Sequence, residues 1–305
     1  MRVSIWLIIN GKAADDPGLQ DAIRRTRESG VAIELRVTQS GDDVVQFIGM
    51  AVEQGIRRIA IGGGDGTLHE AVNALMRHPV EKRPEMGIIP MGTANDFATS
   101  TGIPLSPMDA LSLATDGEAF NIDVGCINDL YFINLASGGF GARVTSTTPP
   151  KLKKMLGGGA YSLVGAMRAW RFQPFEGRLI LSDRNVEASL IVLSIGNGRQ
   201  AGGGQELAPR ALLDDGLLDV LAVESFPLSR IGQAIRELNH LSDQGSVVRY
   251  YQLTSMQFDS RRALPVNLDG EAHEFTQMSI SIRPGAIAVI LPEECPLLGH
   301  RNRAV

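Results

Sequence analysis

The sequence predicts a doubly wound α/β domain followed by an antiparallel β-sandwich domain. Three observations predict it. Apolar strand-like runs alternate with helical patterns from residue 1 to about 121. One of those runs empties into three consecutive glycines, Gly62 to Gly64. From about residue 122 the pattern changes to short runs of period two, punctuated by glycine and proline turns. The expected borders are therefore 1–121 for the first domain and 122–292 for the second.

A chain of 305 residues is long enough for two sizeable cores. Hydrophobic content of 44% and charged content of 21% belong to a soluble globular protein. A net charge of −5 argues against nucleic acid as the main partner, because neutralising phosphates needs a basic surface. No apolar run reaches the ~18 residues of a transmembrane helix. The run Ile5 to Ile9 is cut short by Asn10-Gly11-Lys12 and reads as a first strand, not a signal peptide. Cys126 and Cys295 lie far apart without metal spacing, which reads as two reduced packing residues in a cytoplasmic protein.

In order, Val3 to Ile9 is a buried strand. Asp16-Pro17 sets an N-cap and a first-turn proline, and Leu19, Ala22, Ile23 and Thr26 carry a helix to Gly30. Val31 to Val37 is the second strand, and Asp42-Asp43 opens a helix closed by Gly55. The third strand, Ile56 to Ile61, leads into Gly62-Gly63-Gly64-Asp65-Gly66-Thr67, and a helical face of Leu68, Val72, Leu75 and Met76 follows at once. Strand, glycine loop and helix N-terminus together form a phosphate-binding arrangement: backbone N–H groups can approach an anion with no Cβ between, and the helix dipole favours negative charge. No Gly-Lys-Ser/Thr follows, so this is not a P-loop, and the third glycine of a dinucleotide fingerprint is absent. A surface turn is the structural alternative. Met86 to Pro90 is the fourth strand, ending in Met91-Gly92-Thr93-Ala94-Asn95-Asp96. Asn10, Thr38, Gly62 to Thr67 and Met91 to Asp96 all fall at strand C-terminal ends, where such sheets bind ligands, so they should line one crevice.

Together these residues resemble the diacylglycerol kinase catalytic-domain family, and within it the bacterial YegS-like lipid kinases. The family's two signatures stand here as Gly62 to Thr67 (GGGDGT) and Pro90 to Ala98 (PMGTANDFA). The likeness continues through Asn134 to Gly141, Gly196 to Gly204, Leu212 to Leu218 and Leu268 to Glu271. NAD kinases share a GGDG loop, but the full ordered set is specific. The resemblance implies an ATP-dependent kinase of a lipid hydroxyl, using Mg²⁺, with a diacylglycerol-, phosphatidylglycerol- or sphingoid-like acceptor presented at a membrane surface. It also implies that residues 293–305 return to the first domain. A soluble-acceptor kinase on the same scaffold, or a non-catalytic nucleotide or lipid sensor, are the alternatives.

The resemblance also assigns residues. Thr38, Gly62, Gly63, Gly64, Asp65, Gly66, Thr67, Leu68, His69, Glu70, Thr93 and Asn95 would surround the nucleotide. Asp65 would reach its Mg²⁺, directly or through water; otherwise it is a turn residue before Gly66. Glu271 would be the general base, although on its own Leu268-Asp269-Gly270-Glu271 is a hairpin with an exposed acid. A carboxylate with an ordinary pKa of about 4.3 is a weak base, which burial would strengthen. A second, structural cation, Mg²⁺ or Ca²⁺, would take Asp215 with the carbonyls of Leu212 and Leu217. Bare sequence reads Asp214, Asp215 and Asp219 as an acidic cluster around an Asp-Gly hairpin. Asp96 is a candidate for the headgroup or reaction centre, and Asp123 a structural one. His69 reads as an exposed helix residue.

In the second half, Asn128-Asp129 marks a hairpin between Ile122–Ile127 and Tyr131–Leu135. Leu179 to Leu181, Ser189 to Ile195 and Leu217 to Val223 are strands. Met278, Ile280 and Ile282 alternate, as do Ile287, Val289 and Leu291 beyond an expected Pro284-Gly285 turn. Lys151 to Phe172 reads as a helix packed on its own domain with a solvated basic edge, or as a lipid-entry element. Leu228 to Leu241 is a scaffold helix.

Overall fold

A computed structural model of the protein describes residues 4–139, 173–201 and 204–299. The stretch Lys151 to Phe172 lies outside them. The chain forms two compact units: residues 1–124, 213–215 and 284–305 in the first, and 125–212 and 216–283 in the second.

The first unit is mixed α/β. Strands β1 (Ser4–Asn10), β2 (Ala32–Thr38), β3 (Arg58–Gly63) and β4 (Glu85–Pro90) pair in parallel in the order β2-β1-β3-β4. A further strand pairs in parallel with β4 through Val289 and Met86. Helix α1 (Gly11–Ala14) exists because the Asn10 side chain accepts a hydrogen bond from the Ala13 amide at 2.8 Å. The sequence pattern marks that asparagine as a strand end and a crevice residue, without a sign of the short helix it caps. Helix α2 (Pro17–Glu28) starts where Asp16 caps the Leu19 amide at 2.8 Å. Helix α3 (Gly41–Glu53) starts in a Ser40–Asp43 capping box, and α4 (Asp65–Leu75) leaves β3 after a single residue. Helices α5 (Asp96–Thr101) and α6 (Pro107–Asp116) complete the unit. Leu19, Ala22 and Ile23 of α2 and Ala110, Leu111 and Ala114 of α6 share one core with Ile5, Leu7 and Ile9 of β1. Helices α3 and α4 pack on each other and on the strands. Sequence reading did not anticipate α6.

The second unit is strand-rich. Strand β5 (Ala119–Ile127) begins in the first unit and, from Gly125 on, forms the expected hairpin with β6 (Leu130–Phe132), with Asn128 in the left-handed region at φ 56°. The main strands are β7 (Leu135–Gly139), β8 (Phe175–Ile180), β9 (Asn185–Gly196), β12 (Leu218–Glu224), β13 (Val248–Leu253), β14 (Ser255–Leu268) and β15 (Glu271–Ile290). Two short strands, β10 (Gln200–Ala201) and β11 (Gln205–Glu206), pair with each other. The long strands β9 and β14 each pair with β8 along their first half and with β7 along their second. These strands share one core, in which Phe132, Leu179, Leu193, Phe258, Leu268 and Ile280 meet. Strands β13 and β14 were absent from the sequence reading. Their apolar residues are interspersed with Arg249, Gln252, Gln257, Asp259, Arg261 and Arg262, and a register shift between Asp259 and Leu264 breaks the alternation.

The expected Pro284-Gly285 turn is not a chain reversal. Strand β15 runs straight through it, with Gly285 at φ 56° and its amide donating to Asp123 at 2.8 Å. The positive φ of Gly285 is accommodated within one strand, and the division between the two units falls there.

Helix α7 (Ile231–Asn239) packs Ala234 against Ile191, Val192, Leu221 and Val223. Its Glu237 accepts hydrogen bonds from the amides of Val247 at 2.9 Å and Val248 at 2.7 Å, and from the Gln233 side chain at 2.7 Å. Burial pushes its pKa up, but these hydrogen bonds outweigh it and hold the carboxyl below its usual range. A folded pKa below the unfolded value means that the stabilisation is complete above about pH 4.3 and is lost as pH falls through the lowered value. Glu237→Gln should therefore cost about 1 kcal/mol at neutral pH, the low end because the group is half-exposed. In denaturant melts the gap to wild type should narrow as pH falls below about 4.3.

Both cysteines are buried, and neither is in a disulfide. Among the described residues no helix is long and apolar enough to cross a membrane.

Candidate active site

In the first unit the strand register aligns the predicted ends. Asn10 lies opposite Thr38, Ile9 opposite Gly62, and Gly63 opposite Pro90. The Met91 amide continues the ladder to the Gly63 carbonyl at 2.9 Å. The glycine loop and the segment after β4 are thus one surface, with buried Thr38 along the same edge.

Glycine is required here by contact. A Cβ on Gly62 would stand 2.5 Å from the Ile9 side chain, and one on Gly63 2.5 Å from Thr67. A Cβ on Gly92 would stand 2.5 Å from the Gly64 backbone. The two loops touch main chain to main chain. Helix α4 begins immediately, and its first hydrogen bond of helical spacing runs from Leu68 to the Gly64 carbonyl at 3.1 Å. The amides of Gly66 and Thr67 precede that bond, at the positive end of the helix dipole.

Asp65 is the first residue of α4 and is half-buried. Its carboxylate accepts from the amides of Asp96 at 3.2 Å and Phe97 at 3.4 Å, so it joins the N-termini of α4 and α5. Asn95 stands at φ 51°, a conformation asparagine tolerates, and its side-chain amide closes on both the N–H and the carbonyl of Gly92 at 2.9 Å. Its role is to shape the turn that presses Gly92 against Gly64. Thr93 is exposed beside it, and Asp96 is buried. Glu70 is half-buried, and Leu68 is buried in the helix face.

His69 corrects the sequence reading. It is buried, not exposed, at 7% exposure, with its ring 3.3 Å from the Asn73 side chain. Helix α4 also buries Leu68, Ala71 and Val72, so more than one side of this helix is covered.

In the second unit, Asp269 and Gly270 form the two-residue turn between β14 and β15, at φ 48° and 108°. Leu268 pairs with Glu271 across it, and Glu271 is exposed. Asp269 is buried and points inward. Its carboxylate accepts the amides of Ile133 at 2.7 Å, Asn134 at 3.0 Å and Leu135 at 2.9 Å. Asn197 holds the same stretch from the other side, donating from its side chain to the Ile133 carbonyl at 2.7 Å and from its amide to the Asn134 carbonyl at 2.9 Å. Three motif segments read separately in the sequence therefore meet around one turn. Sequence reasoning missed Asp269, Asn134 and Asn197; the Asp-Gly pair signalled the turn but not where the carboxylate points.

The acidic residues around Gly216 take different partners. Asp214 accepts the Gly299 amide at 2.7 Å, while Asp219 is fully buried and accepts the Tyr250 hydroxyl at 2.6 Å. Burial and that carboxylate push the Tyr250 phenol far above its ordinary value. Asp215 is exposed in the bend, where Gly216 stands at φ 73°, with Leu212 and Leu217 half-buried on either side. Among the described residues no three His, Cys, Asp or Glu side chains form a metal-holding group. Asp123 is buried, its carboxylate on the Gly285 amide and its own amide on the Leu213 carbonyl.

The diacylglycerol kinase catalytic domain matches residues 4–127, and the YegS C-terminal NAD kinase beta sandwich-like domain matches residues 134–291. A Chromohalobacter salexigens protein named "Probable lipid kinase YegS-like" is 48% identical over 97% of this chain and 96% of its own length. The chain belongs to the YegS-like lipid kinase family. A Shewanella frigidimarina member with the same name is 41% identical over 96% of both chains. The fold is also that of a crystal structure described as a diacylglycerol kinase from Bacillus anthracis, with a TM-score of 0.76 and 24% identity over 95% of this chain and 98% of that one. The two family matches part between residues 127 and 134, within the β5–β6 hairpin and the turn after it. In this YegS-like chain, the first match holds both glycine loops and the second holds the Asp269 turn.

Proposed function

We propose that the protein is an ATP-dependent lipid kinase, transferring the γ-phosphoryl group to a hydroxyl of a diacylglycerol-, phosphatidylglycerol- or sphingoid-like acceptor. It would act from the cytoplasm on lipid at a membrane surface. The observation that carries this reading is the contact between Gly64 and Gly92, which joins the two family signatures main chain to main chain in one surface at the start of α4. Such a surface fits phosphate oxygens, which need bare amides and a positive helix end. Gly62 to Thr67 would hold the phosphates, with Thr38, Thr93 and the Leu68–Glu70 turn around them and Asn95 fixing the second loop. Asp65 offers the oxygen ligand that Mg²⁺ takes. The same reading takes the first sheet as doubly wound, with α2 and α6 on one face and α3 and α4 on the other. It places nucleotide binding in 1–121 with 293–305, and acceptor binding in 122–292.

ATP supplies the phosphoryl group, and bound Mg²⁺ would spread its charge. Glu271 accepts the proton of the acceptor hydroxyl as its oxygen bonds to the γ-phosphorus and the bond to the ADP oxygen breaks. Because Glu271 is exposed in the described chain, bound lipid must exclude water from it before it is an effective base. Asp215, with the Leu212 and Leu217 carbonyls, would hold a second Mg²⁺ or Ca²⁺ in a structural role.

The test is ADP formation with ATP and Mg²⁺ in three separate mixtures: a lipid panel in vesicles, NAD, and glycerol. The reading expects ADP to rise with lipid alone. A rise with NAD or glycerol and none with lipid contradicts it.

A further inference from the structure

We infer that Asp269 is a positioning residue for Glu271, an inference that rests on the reading of Glu271 as the base. An Asp-Gly turn of this type needs nothing from the aspartate beyond a tolerated left-handed φ, and a turn aspartate ordinarily leaves its carboxylate in water. Here Asp269 is 8% exposed, and its carboxylate takes three consecutive amides, Ile133 to Leu135, at 2.7 to 3.0 Å. The Asp269 amide returns a hydrogen bond to the Leu135 carbonyl at 3.1 Å, and the Gly270 amide donates to the Asn267 side chain at 2.9 Å. Asn197 in turn pins the amide-donating stretch through the carbonyls of Ile133 and Asn134.

Glu271 stands at the turn-closing ladder pair of the β14–β15 hairpin, so the geometry of the turn sets where its backbone lies. Its own side chain is exposed, so packing does not hold it. The turn is held through the residue two positions before it. A base misplaced by about 1 Å loses on the order of 10²-fold in rate, so a charge-assisted clamp at this point sets the reach of the Glu271 carboxylate.

Asp269→Asn is the informative change. Asparagine keeps the size and the turn preference, but it removes the charge and turns one acceptor into a donor facing an amide. Turnover should fall about 10- to 100-fold, with KM for ATP within about twofold of wild type. In the double variant with Glu271→Gln, the rate should be no lower than in Glu271→Gln alone, because Asp269 acts through Glu271. Loss of the full Asp269→Asn factor in that background overturns the proposal, as does wild-type turnover in Asp269→Asn. Wild-type turnover in Glu271→Gln instead removes the reading beneath it. Amide hydrogen exchange needs no acceptor. In Asp269→Asn, exchange at 133–135 and 270–272 should quicken at least about tenfold while β9 and β12 keep their protection. Unchanged exchange at the turn overturns the proposal whatever the substrate.

Discussion

Glu271→Gln should lower turnover about 10²- to 10⁴-fold while leaving ATP affinity and folding unchanged. Glutamine fills the same space and cannot take a proton at neutral pH. The stability half of this expectation follows from exposure: Glu271 is exposed, and no change beyond about 0.5 kcal/mol is expected from a surface position of this kind. The affinity half follows from where the parts lie in the chain. The glycine cradle is built from β3, α4 and the loop after β4 in the first unit, and Glu271 opens β15 in the second. Calorimetric titration with ATP and a thermal melt check the two halves separately. Loss of both binding and stability would assign Glu271 to the fold.

Gly92→Ala should have the second-largest effect, and on the opposite parameter. The added methyl meets the Gly64 main chain at 2.5 Å and the Asn95 side chain at 2.8 Å. Backbone cannot swing aside as a flexible side chain can, so the two loops must part. KM for ATP should rise about tenfold or more, with a stability loss of about 1 to 3 kcal/mol. Gly49→Ala in α3 is the control, because its Cβ meets nothing within 4 Å. It should stabilise by about 0.5 to 1 kcal/mol and leave KM unchanged.

What the sequence showed, and what it hid, divides by the range of the interaction. Local signals held: Asp16-Pro17 opened α2, Gly30 and Gly55 followed α2 and α3 at positive φ, and Asn128-Asp129 turned a hairpin. The glycine run was legible because it requires strand, loop and helix in immediate succession, all encoded within a dozen residues. Burial of His69 was not legible, since it depends on what lies over that side of α4. Nor was the engagement of Asp65, whose hydrogen bonds reach Asp96 and Phe97 in another helix. The Asp269 clamp spans more than 130 positions of chain. No periodicity reports such a contact. Pro284-Gly285 failed for the opposite reason: a strong local turn signal was overridden by strand pairing on both sides of it.

The measurement that bears most directly on the whole account is the fate of the terminal phosphate. Wild type and Glu271→Gln would each be given ATP labelled at the γ position, Mg²⁺, and vesicles carrying diacylglycerol, monoacylglycerol, phosphatidylglycerol, ceramide and sphingosine. The account predicts label in a lipid extracted from the wild-type reaction and almost none from the variant. Equal lipid label from the two proteins, or no lipid label from a wild type that binds ATP, would contradict it.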